Sequence, residues 1–479
     1  MSPLLAARCA LALGGVFCLA SVHAEVTDRF VLRTADGQPL GYREHSVEEI
    51  EGSRRTIRRQ VITVRSEGRP TQTLEEKRID TSLADGTVVQ IERQTRVGAV
   101  RQTIRAEVGP EQIRLSRQGA GQVQSAVLAR PADLRFDNGA ALLARWDPKA
   151  QDEVRFSALD LSAPAIETVS YTMGGVEADG GRRVRRLTYR GDALRSISFF
   201  RIDDAGQLLG TEQPMIGSGL RLDPAKEGER FAGQVPQLID TVRYRSPYRI
   251  PKRALDKHLR FNFERKVPSV DLVPPDTGEQ RVSFPDGTVQ LDVCATCGAG
   301  LPTSDGYLQQ ALAPTFWLET DYVPLRRAAL KAARRYSNDA AVMRALVNVT
   351  IGRLETLDFA GHLSAAEVWR YRRGDCTESA ALLAALGRAA GIPTKVLSGL
   401  VYSRALYHGR SHTFMPHTWV AAYVDGRWRS YDAALDGFDS THLAFSVGDG
   451  DPRSIHAGHQ VAALLETSAM TEVRQRPTD

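Results

Sequence analysis

At 479 residues the chain exceeds what one hydrophobic core usually serves, so two or three folded units are expected. With 42% hydrophobic and 25% charged residues its composition excludes a fibrous or disordered class. A net charge of +5 over so long a chain gives no reason to expect a nucleic-acid partner, which would need the charge gathered into a patch.

Residues 1–24 read as a secretory signal peptide: Arg8 precedes a short apolar run from Cys9 to Ala20, and Val22-His23-Ala24 supplies small residues before a cut. The run falls short of the ~20 residues a spanning helix needs, so a periplasmic or secreted protein beginning near Glu25 is expected, with no integral membrane segment after cleavage. Cleavage removes Cys9 and Cys18 and leaves Cys294, Cys297 and Cys376. In an oxidising compartment the close pair can form a local disulfide, which would leave Cys376 as the single free thiol.

Residues 25–245 alternate in hydrophobicity between glycine-containing turns at Asp36-Gly37, Asp85-Gly86 and Ala205-Gly206. Val89 and Ile91 share one face while Gln90 and Glu92 share the other, and Ile197 and Phe199 repeat this against Ser196 and Ser198. An all-β antiparallel scaffold or interaction domain is expected. Residues 246–300 form a proline-rich connector, with Pro247, Pro251, Pro268, Pro274, Pro275 and Pro285 limiting any long helix. Asp286-Gly287 followed by Val289, Leu291 and Val293 marks a strand that delivers Cys294. The Cys294-Ala-Thr-Cys297 motif also suits a redox dithiol or half a zinc site; with no second cysteine pair, a structural disulfide is favoured and no metal is expected.

From residue 301 to 479 the pattern turns helical. Leu325, Ala328, Ala329 and Ala332 follow helical spacing, and Val342, Leu346 and Val349 repeat it after the capping types Asn338 and Asp339. Ser364-Ala-Ala-Glu367 has the form of a capping box. Arg373-Gly-Asp-Cys-Thr-Glu378 then opens an amphipathic stretch with Leu382, Leu383 and Leu386 that stops at Gly391-Ile392-Pro393. Asp375 caps this helix and Cys376 falls in its first turn, where unpaired N–H groups and the helix dipole favour a thiolate and could hold an oxyanion.

A thiolate nucleophile needs a base, and the base an orienting acid. His417 begins a strand that alternates through Val424, Asp425-Gly426 is a two-residue hairpin signal, and the return strand ends at Asp432. With Val424 opposite Arg427, Asp432 becomes the diagonal neighbour of His417 on one face, about 7–8 Å away at the backbone, a gap one hydrogen bond closes. Other histidines lie in a loop (His408, His412) or three apart (His456, His459) without a third ligand.

Gly374-Asp-Cys-Thr-Glu378, Leu386-Gly-Arg-Ala-Ala-Gly-Ile-Pro393, His417-Thr-Trp-Val420 and Asp425-Gly-Arg-Trp428 ending at Asp432 together resemble the bacterial transglutaminase-like superfamily over roughly 325–442. The resemblance implies an α+β fold with a papain-like core at the C-terminal end, a cysteine thioester mechanism, and Cys376, His417 and Asp432 as nucleophile, base and orienting acid. It brings no cofactor. Trp317 and Trp369 do not stand at the interval before Cys376 where animal transglutaminases carry an oxyanion tryptophan, so the second oxyanion donor and calcium dependence stay open. The leading expectation is hydrolysis of a peptide or carboxamide bond in a cell-envelope substrate. Amine transfer that cross-links proteins is the second, and a non-catalytic envelope scaffold with a vestigial triad the third.

Overall fold

The computed structural model describes residues 25–473 apart from 35, 51, 66–70, 120–121, 138, 180–181, 192–195, 215–218, 227–228, 230–243, 245, 268–271, 358–360, 404–410 and 436; the expected signal at 1–24 lies outside the described residues. No helix among them is long and apolar enough to cross a membrane. The architecture is α+β.

Fifteen strands from β1 (Glu25–Thr34) to β15 (Leu220–Pro224) make one sheet, in which β1 to β8 (Gln122–Ala129) run outwards in order on one side and β15 back to β9 (Leu134–Arg135) on the other. The halves join where β1 pairs antiparallel with β15, Leu32 facing Leu222. Period-two burial explains the strands: in β6 (Val100–Val108) Ile104, Ala106 and Val108 are buried, and in β7 (Gln112–Gly119) Ile113, Leu115 and Arg117.

The second half contains two four-stranded sheets. The first has the order β17 (Gln280–Ser283), β18 (Val289–Val293), β16 (Leu259–Arg265), β25 (Leu465–Glu472). The proline-rich stretch at 246–300 therefore supplies three strands to a sheet completed from within 301–479, a pairing that local proline content does not reveal. The second has the order β23 (Arg427–Tyr431), β22 (Thr413–Val424), β21 (Thr394–Ser403), β24 (Leu443–Gly448).

Besides α1 (Ala140–Arg145) and α2 (Asp305–Gln310), the helices are α3 (Val323–Arg335), α4 (Asp339–Arg353), α5 (Ala365–Tyr371), α6 (Cys376–Ala389) and α7 (Pro452–Ala463). α6 is buried from Glu378 to Arg388, and its apolar core cluster is shared with α3, α4, α5 and β22. Ala380, Ala381, Ala384 and Ala385 let its neighbours approach, while Leu382, Leu383 and Leu386 each contribute roughly 1.5–3 kcal/mol of burial.

The two halves meet through a buried ionic cluster. Arg117 of β7 bonds Glu367 of α5 and, at 3.2 Å, Glu319, with its guanidinium over the Trp317 ring; Gln102 of β6 donates to Glu367 at 2.6 Å. A Cβ at Gly119 would collide with the Glu367 carboxylate, so the β-sheet approaches α5 at a residue without a side chain.

Candidate active site

The start of α6 is built by reciprocal capping. Asp375 accepts from the Thr377 N–H at 2.8 Å, while Glu378 accepts from Asp375 N–H at 3.0 Å and from Leu363 N–H at 2.9 Å. Gly374 is required, because a Cβ there would run into the Glu378 side chain. At the other end Gly391 takes φ +87 and stops the helix. Cys376 is the first residue of α6 and the free cysteine of the described chain.

The hairpin has the register its sequence predicts: Val424 faces Arg427 and Val420 faces Tyr431, across a turn with Asp425 at φ 51 and Gly426 at φ 76. His417 and Asp432 are thereby brought together and fully buried, with His417 Nε2 2.7 Å from Asp432 Oδ2. A carboxylate only accepts, so Nε2 carries the proton. Asp432 Oδ1 takes the backbone N–H groups of Ala434 (2.8 Å) and Leu435 (3.3 Å). Burial alone would raise this carboxyl, but the charge and hydrogen bond of His417, with a further bond from His442, hold it well below the usual carboxylate range.

The residue after His417 connects the strand to the nucleophile, since the Thr418 backbone N–H bonds the Cys376 sulfur and favours its thiolate. The other influences oppose it. Loss of water, then Asp375, Asp432 and Glu378, push the thiol well above its ordinary value, although the residue keeps some solvent contact. This differs from the thiolate that the helix terminus alone suggests: the Asp375 carboxylate that caps the helix start also places negative charge beside the buried sulfur. Among the described residues His417 Nδ1, Thr418 Oγ1 and, on α6 one turn after Cys376, Ser379 Oγ are buried without a partner. Groups left unpaired in a protein interior mark places where a reacting partner can supply the missing bond.

Sequence patterns missed His442. It stands just before β24, its Nε2 3.2 Å from Asp432 Oδ2 and its Nδ1 3.2 Å from Asp439 Oδ1. Its ring meets His417 and Trp419 edge-on, at centroid distances of 5.5 and 5.2 Å. Burial lowers this imidazole, but the bonds to Asp432 and Asp439 outweigh burial and push it up to about 9, so it is an imidazolium at neutral pH. Its only sequence signal is a histidine three residues after an aspartate, too common to single out.

The remaining expected positions take quieter places. His412 Nδ1 is 3.1 Å from the Tyr402 hydroxyl, and His408 lies outside the described residues. His456 and His459 sit on α7, where burial pushes both down, His459 to about 3. The Trp317 indole N–H donates to Ser162 O at 2.6 Å and so is already engaged, and the Trp369 ring lies against the Arg353 guanidinium. Cys294 and Cys297 are joined as a disulfide.

Helix-borne cysteine, buried histidine and strand-end aspartate make up the candidate site of a cysteine-based enzyme family. Residues 327–433 match the Transglutaminase-like superfamily, and the chain carries a domain of that family. No curated protein matches the chain. Among solved structures it is similar to a candidate cysteine protease from Cytophaga hutchinsonii at 17% identity and TM-score 0.28, over 46% of this chain and 85% of that one. A β-barrel-like protein of a domain of unknown function from Brucella abortus follows at 12% identity and TM-score 0.34, over 42% of this chain and 94% of that one. A candidate protease from Parabacteroides distasonis matches at 12% identity and TM-score 0.20, over 76% of this chain and 69% of that one.

Proposed function

We propose that this protein is an exported thiol hydrolase that opens a peptide or carboxamide bond in a cell-envelope substrate, with Cys376 as nucleophile, His417 as base and acid, and Asp432 as orienting acid. The observation that carries it is the 2.7 Å bond from His417 Nε2 to Asp432, which leaves Nδ1 as the nitrogen free to exchange a proton with sulfur, on a strand whose next N–H already bonds Cys376. The Cys376 thiol gives its proton to Nδ1, and the sulfur attacks the carbonyl carbon. The tetrahedral oxyanion collapses, the amine leaves with that proton, and a thioester remains. Water then gives a proton to Nδ1 and its oxygen to the carbonyl carbon; the acid departs and the thiol re-forms. The raised thiol means that deprotonation accompanies attack rather than preceding it.

Incubation with envelope-type peptides, with and without a labelled amine, followed by mass measurement tests this. Cleavage with a transient thioester on Cys376, absent from Cys376→Ala, is expected. Amine incorporation in place of hydrolysis would move the assignment to a cross-linking enzyme, and no acyl-enzyme with peptides or an electrophilic probe would leave a scaffold with a vestigial triad.

A further inference from the structure

The Cys294-Ala-Thr-Cys297 motif plays no part in this chemistry, yet it has a neighbour that the sequence hides. His258 Leu259 and Val293 Cys294 are consecutive pairs, and Leu259 faces Val293 in the antiparallel β16–β18 ladder, so His258 falls opposite Cys294. The ligand atoms of His258, Cys294 and Cys297 all lie within 4.8 Å of one another. We infer that these three residues form a thiol-gated site for a soft divalent cation of the zinc type, closed while Cys294 and Cys297 are bonded to each other and opened by a small dithiol reductant.

The imidazole is already set up as a metal ligand. His258 Nε2 lies 2.8 Å from Asp292 Oδ1, and because the carboxylate accepts, Nε2 holds the proton and Nδ1 presents its lone pair. Asp292 is fully buried. It also takes bonds from Arg260 at 2.9 Å and Arg281 at 3.2 Å, which fix the carboxylate in place behind the ring. Acid behind histidine is the usual support of a zinc-bound imidazole. The Cα atoms of Cys294 and Cys297 are 5.2 Å apart, and Cys297 N–H turns back towards Cys294 O, so both sulfurs point to one place.

Both cysteines are half-buried, within reach of a reductant. The dithiol gives two electrons and two protons to the disulfide, forming two cysteine thiols and its own disulfide. Binding the cation releases those two protons, and a water completes the four positions beside two thiolates and Nδ1. The bond joins cysteines only three residues apart, so opening it releases little constraint on the chain.

The test uses the full chain carrying Cys376→Ala, which removes the third thiol. The protein is reduced with dithiothreitol, freed of it without air, and titrated with cobalt(II) as a spectroscopic stand-in for zinc. One equivalent of cobalt with a sulfur-to-cobalt absorption band in the near ultraviolet is expected after reduction, and none in the oxidised protein. His258→Ala should weaken binding by roughly 100-fold and Asp292→Asn by about 10-fold or more, while Cys297→Ser abolishes the band; thermal unfolding of each variant checks that it is folded. A reduced protein without the band, or binding unchanged in both folded His258→Ala and folded Asp292→Asn, would overturn the site and leave a structural crosslink.

Discussion

His417 does not have Asp432 to itself. His442 shares the same carboxylate oxygen and is tied to Asp439 behind it, so two imidazoles draw on one fixed anion. A charged His442 partly neutralises the carboxylate that His417 also holds. Because His442 is raised to about 9, its stabilising contribution is complete below the unfolded histidine value near 6.5 and is lost as pH rises through about 9. Urea unfolding of the parent should therefore weaken by roughly 3 kcal/mol or less between pH 6.5 and 9, whereas His442→Gln, able to donate but not to charge, should lack that slope; equal slopes would refute the shared-anion arrangement. The places of Cys376 and Asp432 were legible because a helix cap and a hairpin end mark them locally, and that of His417, inside β22, because the hairpin register sets it beside Asp432. The direction of the Cys376 shift was not, since burial and the approach of three carboxylates are properties of the fold rather than of the motif.

Among the elements, α6 depends most visibly on its first turn. Asp375 serves both as helix cap and, after burial, as the largest cause of the raised Cys376 thiol. Asparagine caps about as well but carries no charge. Asp375→Asn should keep unfolding within a few tenths of a kcal/mol of the parent and shift the pH profile of Cys376 alkylation to lower pH; Asp375→Ala, losing the cap, should cost about 1 kcal/mol as well. An unmoved alkylation profile in Asp375→Asn would show that the carboxylate does not act on the sulfur. The hairpin, the caps of α5 and α6 and the glycine stop were all written in short stretches, and the structure has them. The place of β25 beside β16 was not, because that pairing joins segments about 200 residues apart, which no local period encodes.

The whole molecule is held together where its halves exchange a buried charge. Arg117 and Glu367 are 250 residues apart in sequence, and both are almost without solvent contact. Removing one side of such a cluster strands the other: Arg117→Met should cost roughly 3–5 kcal/mol in denaturant unfolding, with part of the loss recovered in Arg117→Met/Glu367→Gln, which also discharges one carboxylate. A loss below about 1 kcal/mol would mean that the halves do not depend on this contact. The alternating pattern of residues 25–245 foretold a β-structure; it gave no hint of a lone arginine reaching into the cysteine-bearing half.

The pairing of β25 with β16 has a bearing on how the polypeptide is made. A ribosome moves from β16 to β25 only after synthesising some 200 further residues, and for that interval one border of the nascent sheet has unsatisfied amides and carbonyls. Any chaperone that shelters this polypeptide has to cover that border until residue 472 has emerged, and a message cut short before residue 465 yields a product that exposes it permanently.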